Sequence, residues 1–232
     1  MLVDRQVLKR IVDFARIGKA ETVIEAGTGL GILTAELCKT AKSVVSYEVD
    51  KKLYLQAKLH LPFLNLKLVN DDLFETTYLN FDVFVSNLPY SRSRDAFEWL
   101  ATQKFDRAVI MVQQEFADKL TARPGDKGYR AISALSAYCF ATEKLFRVEP
   151  QSFKPQPKVK SAVLGIVPVN MVSKEVINAL NLLFSKRNRR ASTVASMVGA
   201  ETRSHFDTKR IDELEPGDLM SIAEAMSNVR SI

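Results

Sequence analysis

Cysteine and histidine are nearly missing from this chain, with two of each in 232 residues. Cys38 and Cys139 stand far apart in apolar surroundings without a CxxC partner, and His60 and His205 have no metal-ligand spacing. Buried reduced thiols are therefore expected, not a disulfide framework or a metal centre. No apolar run approaches the ~20 residues that a membrane-spanning helix requires. The first residues, "MLVDRQVLKRIVDF", place Asp4 and Asp13 among the apolar side chains, unlike a secretory signal, so a cytoplasmic protein is expected. Internal repeats and low-complexity segments are also missing. What remains is a globular composition, 47% hydrophobic and 9% aromatic, in a chain long enough for one sizeable core and a small second lobe.

Charge is unevenly spread. The formal net charge is +6 and the pI about 9.3. Between Glu201 and Glu224, seven acids (Glu201, Asp207, Asp212, Glu213, Glu215, Asp218, Glu224) face three bases (Arg203, Lys209, Arg210), so the rest of the chain carries a net +10. A polyanion would dock on that remainder.

Short apolar runs alternate with amphipathic helical stretches from Thr22 to about Asp106, the pattern of βαβ units and a parallel sheet. The strands are expected at "TVIEA", "SVVSYE", "LKLVN", "FDVFVS" and "RAVIMVQ", with helices near Leu30 to Thr40, Lys51 to Leu59 and Asp95 to Thr102. A helical stretch from Gln114 to Leu120 and another near Ile132 to Phe140 lead into "TEKLFRVEP". The Pro-rich "QSFKPQPKVKSAVLGIVPV" then feeds a final strand, so the two late strands read as an antiparallel hairpin added to the parallel sheet. From Ser173 onward strand patterns stop. The expected division is 1–170 for the α/β domain and 171–232 for a small helical domain.

"VIEAGTGLGILTAEL" sets Gly27, Gly29 and Gly31 at the end of the first strand, directly before a helix, with Glu25 two residues ahead of the first glycine. Glycines let a backbone turn tightly and approach a ligand, and a helix N-terminus offers free N–H groups. The spacing is GxGxG and not the GxGxxG of dinucleotide-binding folds; alone, it reads equally as a turn without a ligand. Two acids follow strands on the same sheet edge. Glu48 stands 21 residues after Gly27, where a carboxylate can accept both hydroxyls of a ribose. Asp71 can accept from an adenine amino group, while Asp72 beside it suits a turn cap.

After the fourth strand comes "NLPY", Asn87 to Tyr90. An adenine amine is a poor nucleophile because its lone pair is delocalised into the ring, so methylating it requires acceptors that suit a nitrogen gaining positive charge. The Asn87 side-chain oxygen and the Leu88 carbonyl can accept the two amine hydrogens, Pro89 stiffens the turn, and Tyr90 offers a ring on which an extruded base can stack.

In this ordered set the chain resembles the small-subunit rRNA adenine dimethyltransferases, in a short, archaeal-like form, with the erythromycin-resistance rRNA methylases as relatives. "EAGTGLGILT" resembles the family's donor loop, "YEVD" its ribose acid, "NDDL" its adenine-contacting motif and "NLPY" its catalytic tetrapeptide. "QQEFADKLTARPGDKGYRAIS", "SFKPQPKVKSAV" and "LFSKRNRRASTV" resemble later blocks. The resemblance implies a Rossmann-like fold and S-adenosylmethionine as cofactor, contacted by Glu25, Gly27, Gly29, Gly31, Glu48, Asp71 and Asn87. It also implies a catalytic set of Asn87, Leu88, Pro89 and Tyr90, with Phe153 flanking the base; a core Phe beside a Pro-rich turn is the alternative. The chain departs from the family in three places. "LVD" at Leu2 to Asp4 stands where the resemblance implies a Gln-x-Phe-Leu segment and reads as its remnant, Thr28 replaces a usual Pro, and Ser91-Arg92 replaces a usual Asn-Ile.

Lys154, Lys158 and Lys160 in the Pro-rich loop, and Lys186, Arg187, Arg189 and Arg190 in "FSKRNRRAS", are the expected RNA-binding residues. Arg92 and Arg94 would add positive charge near the substrate entrance. Solvated faces explain the same charges without RNA. The expected activity is dimethylation of adenines in small-subunit rRNA by a metal-free monomer acting on the rRNA or a pre-30S particle. The rivals are a methyltransferase for another RNA or protein amine, and an assembly or transcription factor that keeps the fold with little activity.

Overall fold

The computed structural model describes residues 2–197 and 208–229; Glu201, Arg203, His205 and Asp207 lie outside them. Two compact units emerge, one comprising Met1–Ala96, Gln103–Ala117 and Thr142–Pro168, the other Phe97–Thr102, Asp118–Ala141 and Val169–Ile232. The sequence division at residue 170 marks where strand patterns stop. The second unit also takes in two earlier stretches, Phe97–Thr102 and Asp118–Ala141.

The first unit begins with α1 (Arg5–Ala15). Asp4 starts it by accepting the N–H groups of Gln6 and Val7, two donors that have no partner within the helix. Val7, Leu8, Ile11 and Ala15 form its buried stripe, each larger side chain contributing about 1.5–3 kcal/mol when fully buried. The stripe packs with Leu33 and Leu37 and with strand residues Val23, Val44 and Val85 in one apolar cluster. At the far end of α1 the Arg107 guanidinium donates to the carbonyls of Ala15 and Arg16 while holding Glu21 at 2.6 Å.

Five strands, β1 (Thr22–Ala26), β2 (Ser43–Tyr47), β3 (Leu66–Val69), β4 (Val83–Asn87) and β5 (Arg107–Gln113), pair in parallel. With β6 (Phe140–Val148) and β7 (Ser161–Pro168) they complete a seven-stranded sheet in the order β3-β2-β1-β4-β5-β7-β6, and β7 runs antiparallel to β5. The central strands β1, β4 and β5 are buried almost throughout, as expected where both faces of a parallel sheet are covered. From β1 the chain order runs outward in both directions, to β2 and β3 on one side and to β4 and β5 on the other. The crevice at the carboxyl ends of β1 and β4 is therefore a topological switch point, the usual place for a ligand in an open α/β sheet.

The connecting helices are α2 (Ile32–Thr40), α3 (Lys51–His60), α4 (Ser93–Leu100) and α5 (Gln114–Leu120). Several boundaries differ from the sequence reading by one or two residues, some for evident local reasons. The strand expected at Phe81 begins at Val83, because the Asp82 carboxylate receives the Thr22 N–H at 2.7 Å and Phe81 stacks on Phe105 instead. The same strand runs on to include Asn87, paired with Met111. The helix expected from Leu30 begins at Ile32, since Gly31 caps it with φ +79°.

The second unit holds α6 (Ala131–Cys139), α7 (Lys174–Ser185), α8 (Ala191–Met197) and α9 (Pro216–Val229). Tyr129 is fully buried there, edge-on to Phe184 with ring centroids 5.6 Å apart, and its hydroxyl reaches the Leu214 carbonyl. Arg190 and Arg210 form a short antiparallel bridge. No helix among the described residues is long and apolar enough to cross a membrane. Cys38 and Cys139 are free and buried, and burial pushes both thiols up to about 12.

Candidate active site

At the switch point the register sets Ala26 beside Tyr47 on one side and Ser86 on the other, so the turns after β1, β2 and β4 meet. Gly27, Gly29 and Gly31 all have positive φ, the region where side chains are strained. At Gly31 an added Cβ would also lie 2.6 Å from the end of the Leu61 side chain, which would have to shift. At Gly29 the half-buried N–H donates to Glu48 Oε2 at 2.8 Å. The other Glu48 oxygen accepts from the Asp50 N–H at 2.9 Å, so a carboxylate only 7% exposed fixes the glycine loop to the start of α3.

Beneath the loop lies a polar chain. Ser46 Oγ and Thr34 Oγ1 both donate to Glu25 Oε2 at 2.6 Å, and Thr28 Oγ1 stands 2.6 Å from Ser46 Oγ. Because the Ser46 proton is directed at Glu25, Thr28 is the donor in that last pair. Glu25 Oε1 is buried with no partner. Burial pushes the Glu25 carboxyl up to about 7, overcoming the opposing hydrogen bonds from Ser46 and Thr34, and the Glu48 charge adds to the rise. Asp71 accepts the Asp72 N–H at 2.8 Å, and Asp72 caps the short turn Leu73–Glu75 through the Phe74 N–H.

Asn87 ends β4, Leu88 is buried, and Pro89 leads into the single turn Tyr90–Arg92. The Tyr90 hydroxyl lies 2.7 Å from Ser161 Oγ at the start of β7. Phe153, 9% exposed, pairs by its backbone with Leu2, and Ser152 donates to the Asp4 carboxylate at 2.9 Å. That hydrogen bond, with those from Val7 and Gln6, holds Asp4 below the usual carboxylate range.

These parts surround one cavity of about 460 Å³. Glu25, Gly27, Gly29, Glu48 and Asp71 line it together with Asn87, Leu88, Pro89, Tyr90 and Phe153. Gly31 does not line it; its place is the turn that starts α2. Of the lysines in the Pro-rich loop none reaches the wall, although Pro155 and Pro157 between them do, and Lys160 pairs with Glu149 at 3.1 Å. Lys186, Arg187, Arg189 and Arg190 fall in the second unit. Arg92 lines the cavity, but its guanidinium is joined to Asp72 and Asp95 rather than open to an incoming phosphate.

A family model described as "Ribosomal RNA adenine dimethylase" matches residues 1–232. The chain belongs to the ribosomal RNA adenine dimethylase family. It is similar to a "Probable ribosomal RNA small subunit methyltransferase A" of Pyrococcus abyssi, 29% identical over 244 residues that span 100% of this chain and 91% of the relative. Two solved structures share its fold. One is a dimethyladenosine transferase from Plasmodium falciparum, with TM-score 0.75 and 23% identity over 96% of this chain and 95% of that one. The other is the 23S rRNA methyltransferase ErmE, with TM-score 0.65 and 23% identity over 97% and 99%. Around the motifs of this adenine dimethylase the structure adds wall residues that sequence reading passed over, notably Leu2, Tyr47, Leu53 and Phe74. Leu2 and Tyr47 flank motifs already in view, as the start of "LVD" and of "YEVD". Nothing in the local pattern marked Leu53 or Phe74.

Proposed function

We propose that this dimethylase transfers methyl groups from S-adenosylmethionine to the exocyclic amine of adenines in small-subunit rRNA, forming dimethyladenosine. One observation carries the reading: a single cavity is walled on one side of the chain's motifs by the glycine loop, Glu48 and Asp71, and on the other by Asn87 to Tyr90 and Phe153. The residues present fit the donor. The buried Glu25 oxygen without a partner suits an ammonium group, the lone pairs that the Gly29 and Asp50 N–H groups leave on Glu48 suit a ribose, and Asp71 suits an adenine amine. When bound, S-adenosylmethionine supplies an electrophilic methyl group on a sulfonium.

The chain's own residues prepare the acceptor. Asn87 Oδ1 and the Leu88 carbonyl accept the two amine hydrogens, which draws the nitrogen lone pair out of conjugation and favours the positive charge that develops on nitrogen. Asn87 belongs to a paired strand, so the backbone that carries its acceptor is set before the base arrives. Tyr90 and Phe153 supply apolar faces for the extruded ring. Neither forms a covalent bond. Residues 171–232, with Lys186, Arg187, Arg189 and Arg190, act as the RNA-binding domain, joined by Lys154, Lys158 and Lys160. The enzyme works as a metal-free monomer in the cytoplasm.

Single-turnover transfer of a labelled methyl group to unmodified small-subunit particles, with the labelled nucleotide mapped, tests the reading. Wild type should label adenines to two methyl groups. Asn87→Ala should lose transfer by on the order of a hundredfold, the scale of a removed transition-state acceptor, while still binding particles. A wild-type protein that binds particles and saturates with donor yet labels no adenine would replace the enzyme by an assembly factor.

A further inference from the structure

Arg92 follows the tetrapeptide after Ser91, and its charge was expected near the substrate entrance, facing either RNA or solvent. Its charge is instead engaged within the chain. Nη2 donates to both oxygens of Asp72, at 3.0 and 2.8 Å. Nε lies 2.8 Å from Asp95 Oδ2, and the guanidinium carbon sits 5.1 Å from the centroid of the Phe74 ring. One positive group against two negative ones leaves this cluster at net −1, the wrong sign for a phosphate contact.

The position of the pair says what it does. Asp72 follows β3 through Asp71 and caps the turn that carries Phe74; Arg92 ends the turn that follows β4 and the tetrapeptide. In the sheet β3 and β4 are separated by β2 and β1, three inter-strand spacings or about 14 Å. Arg92, Asp72 and Phe74 all line the cavity. The ion pair thus ties together two turns whose strands are not neighbours, across the ends of the two strands that carry the glycine loop and Glu48.

We propose that Arg92 is a positioning residue, a clasp that holds the Asn87–Tyr90 turn in register with the Asp71–Asp72 turn and so keeps the amine acceptors aligned with the donor-binding wall. The proposal rests on the methyltransferase reading for what is aligned, but the clasp itself is a property of the two turns. Arginine suits the task because its guanidinium reaches Asp72 through Nη2 and Asp95 through Nε at once while lying near the Phe74 ring, which a lysine's single ammonium does not reproduce.

The test compares wild type, Arg92→Gln, Asp72→Asn and the double variant. Asparagine is a good helix cap, so Asp72→Asn can keep the hydrogen bond from the Phe74 N–H and the variant folds with its turn intact. Each single change should slow single-turnover methyl transfer on the order of tenfold, since small misplacements of reacting groups are costly. The double variant should be no slower than the slower single one, and Arg92→Lys should recover only part of the rate. Particle binding should keep its wild-type salt dependence in all of them. Amide hydrogen exchange across residues 88–93 should quicken in both single variants, a readout that needs no chemistry. A wild type that transfers no methyl group would therefore defeat the activity reading while the exchange data still judge the clasp. Additive losses, or unaltered exchange in Asp72→Asn, would overturn it. So would a salt slope reduced by roughly 0.7–0.9 in Arg92→Gln with Asp72→Asn silent, which would make Arg92 a phosphate contact.

Discussion

Replacing Glu25 by glutamine should change how the stability of this protein responds to pH. Burial raises the folded-state carboxyl from an ordinary 4.5 to about 7. Between those values the unfolded chain has already released its proton while the folded chain retains it. The folded state therefore binds more protons than the unfolded one, and stability falls as pH rises through the window, levelling off above 7. At about 1.36 kcal/mol per pKa unit, the loss is on the order of 3 kcal/mol. For a chain of this size each kcal/mol moves the melting temperature by ~2–4 °C, so the contribution is roughly 6–12 °C. Glutamine keeps an oxygen for the Ser46 and Thr34 hydroxyls and turns its NH2 to the site of the partnerless Oε1. Any offset from that NH2 is the same at every pH, because glutamine does not titrate. The difference in melting temperature, Glu25→Gln minus wild type, should thus climb by roughly 6–12 °C between pH 4.5 and pH 8. Binding adds a second readout. A donor ammonium beside Oε1 favours the ionised carboxyl, so calorimetry at pH 6 in buffers of different ionisation heat should show a proton released on donor binding by wild type and none by Glu25→Gln. Melting curves that stay parallel from pH 4.5 to pH 8, with no proton release, would refute the assignment of a proton to Glu25.

Two other outcomes follow from the same geometry. The hydrogen bond between Tyr90 and Ser161 fixes the ring, so Tyr90→Phe and Ser161→Ala should each slow single-turnover transfer by about 2- to 10-fold, the scale of one hydrogen bond, with no added loss when combined; independent, additive losses would show that the hydroxyls act separately. Replacing Arg187, Arg189 and Arg190 together by glutamine should flatten the salt dependence of particle binding by roughly 0.7–0.9 per lost phosphate contact and leave donor affinity unchanged, and an unaltered slope would make the cluster a solvated face.

The parallel strands were legible because each is a short, mostly apolar run between helical or turn segments; "RAVIMVQ" matches β5 at both ends. The helix α1 was not read, although Asp4 as cap and the spacing of Val7, Leu8, Ile11 and Ala15 announce it, because that segment was weighed only as a signal sequence. At the site, residue types and strand ends placed Glu48, Asp71 and Asn87 on the correct sheet edge. What the sequence hid are the partners. Glu48 was read as open for a ligand, yet both its oxygens already hold backbone N–H groups. The meetings of Leu2 with Phe153, Tyr90 with Ser161 and Arg92 with Asp72 join positions 20 to 151 residues apart, and periodicity along the chain carries no information about contacts at such separations.

The antiparallel seating of β7 has a consequence for how such a protein can diverge. A parallel strand delivers its end to the cavity edge of the sheet, but β7, reversed, delivers its beginning there, with Ser161 level with Gln113 at the end of β5. The segment 149–160 ahead of it therefore enters the cavity rim from a connection that bears no glycine loop, no Glu48 and no Asp71. The cavity wall is thus drawn chiefly from two stretches of the chain, one running from Glu25 to Arg92 and the other lying within 149–160. Under the proposed activity, lengthening or rewriting 149–160 would reshape the part of the wall that holds Phe153, Pro155 and Pro157 while leaving the glycine loop, Glu48 and Asp71 unchanged.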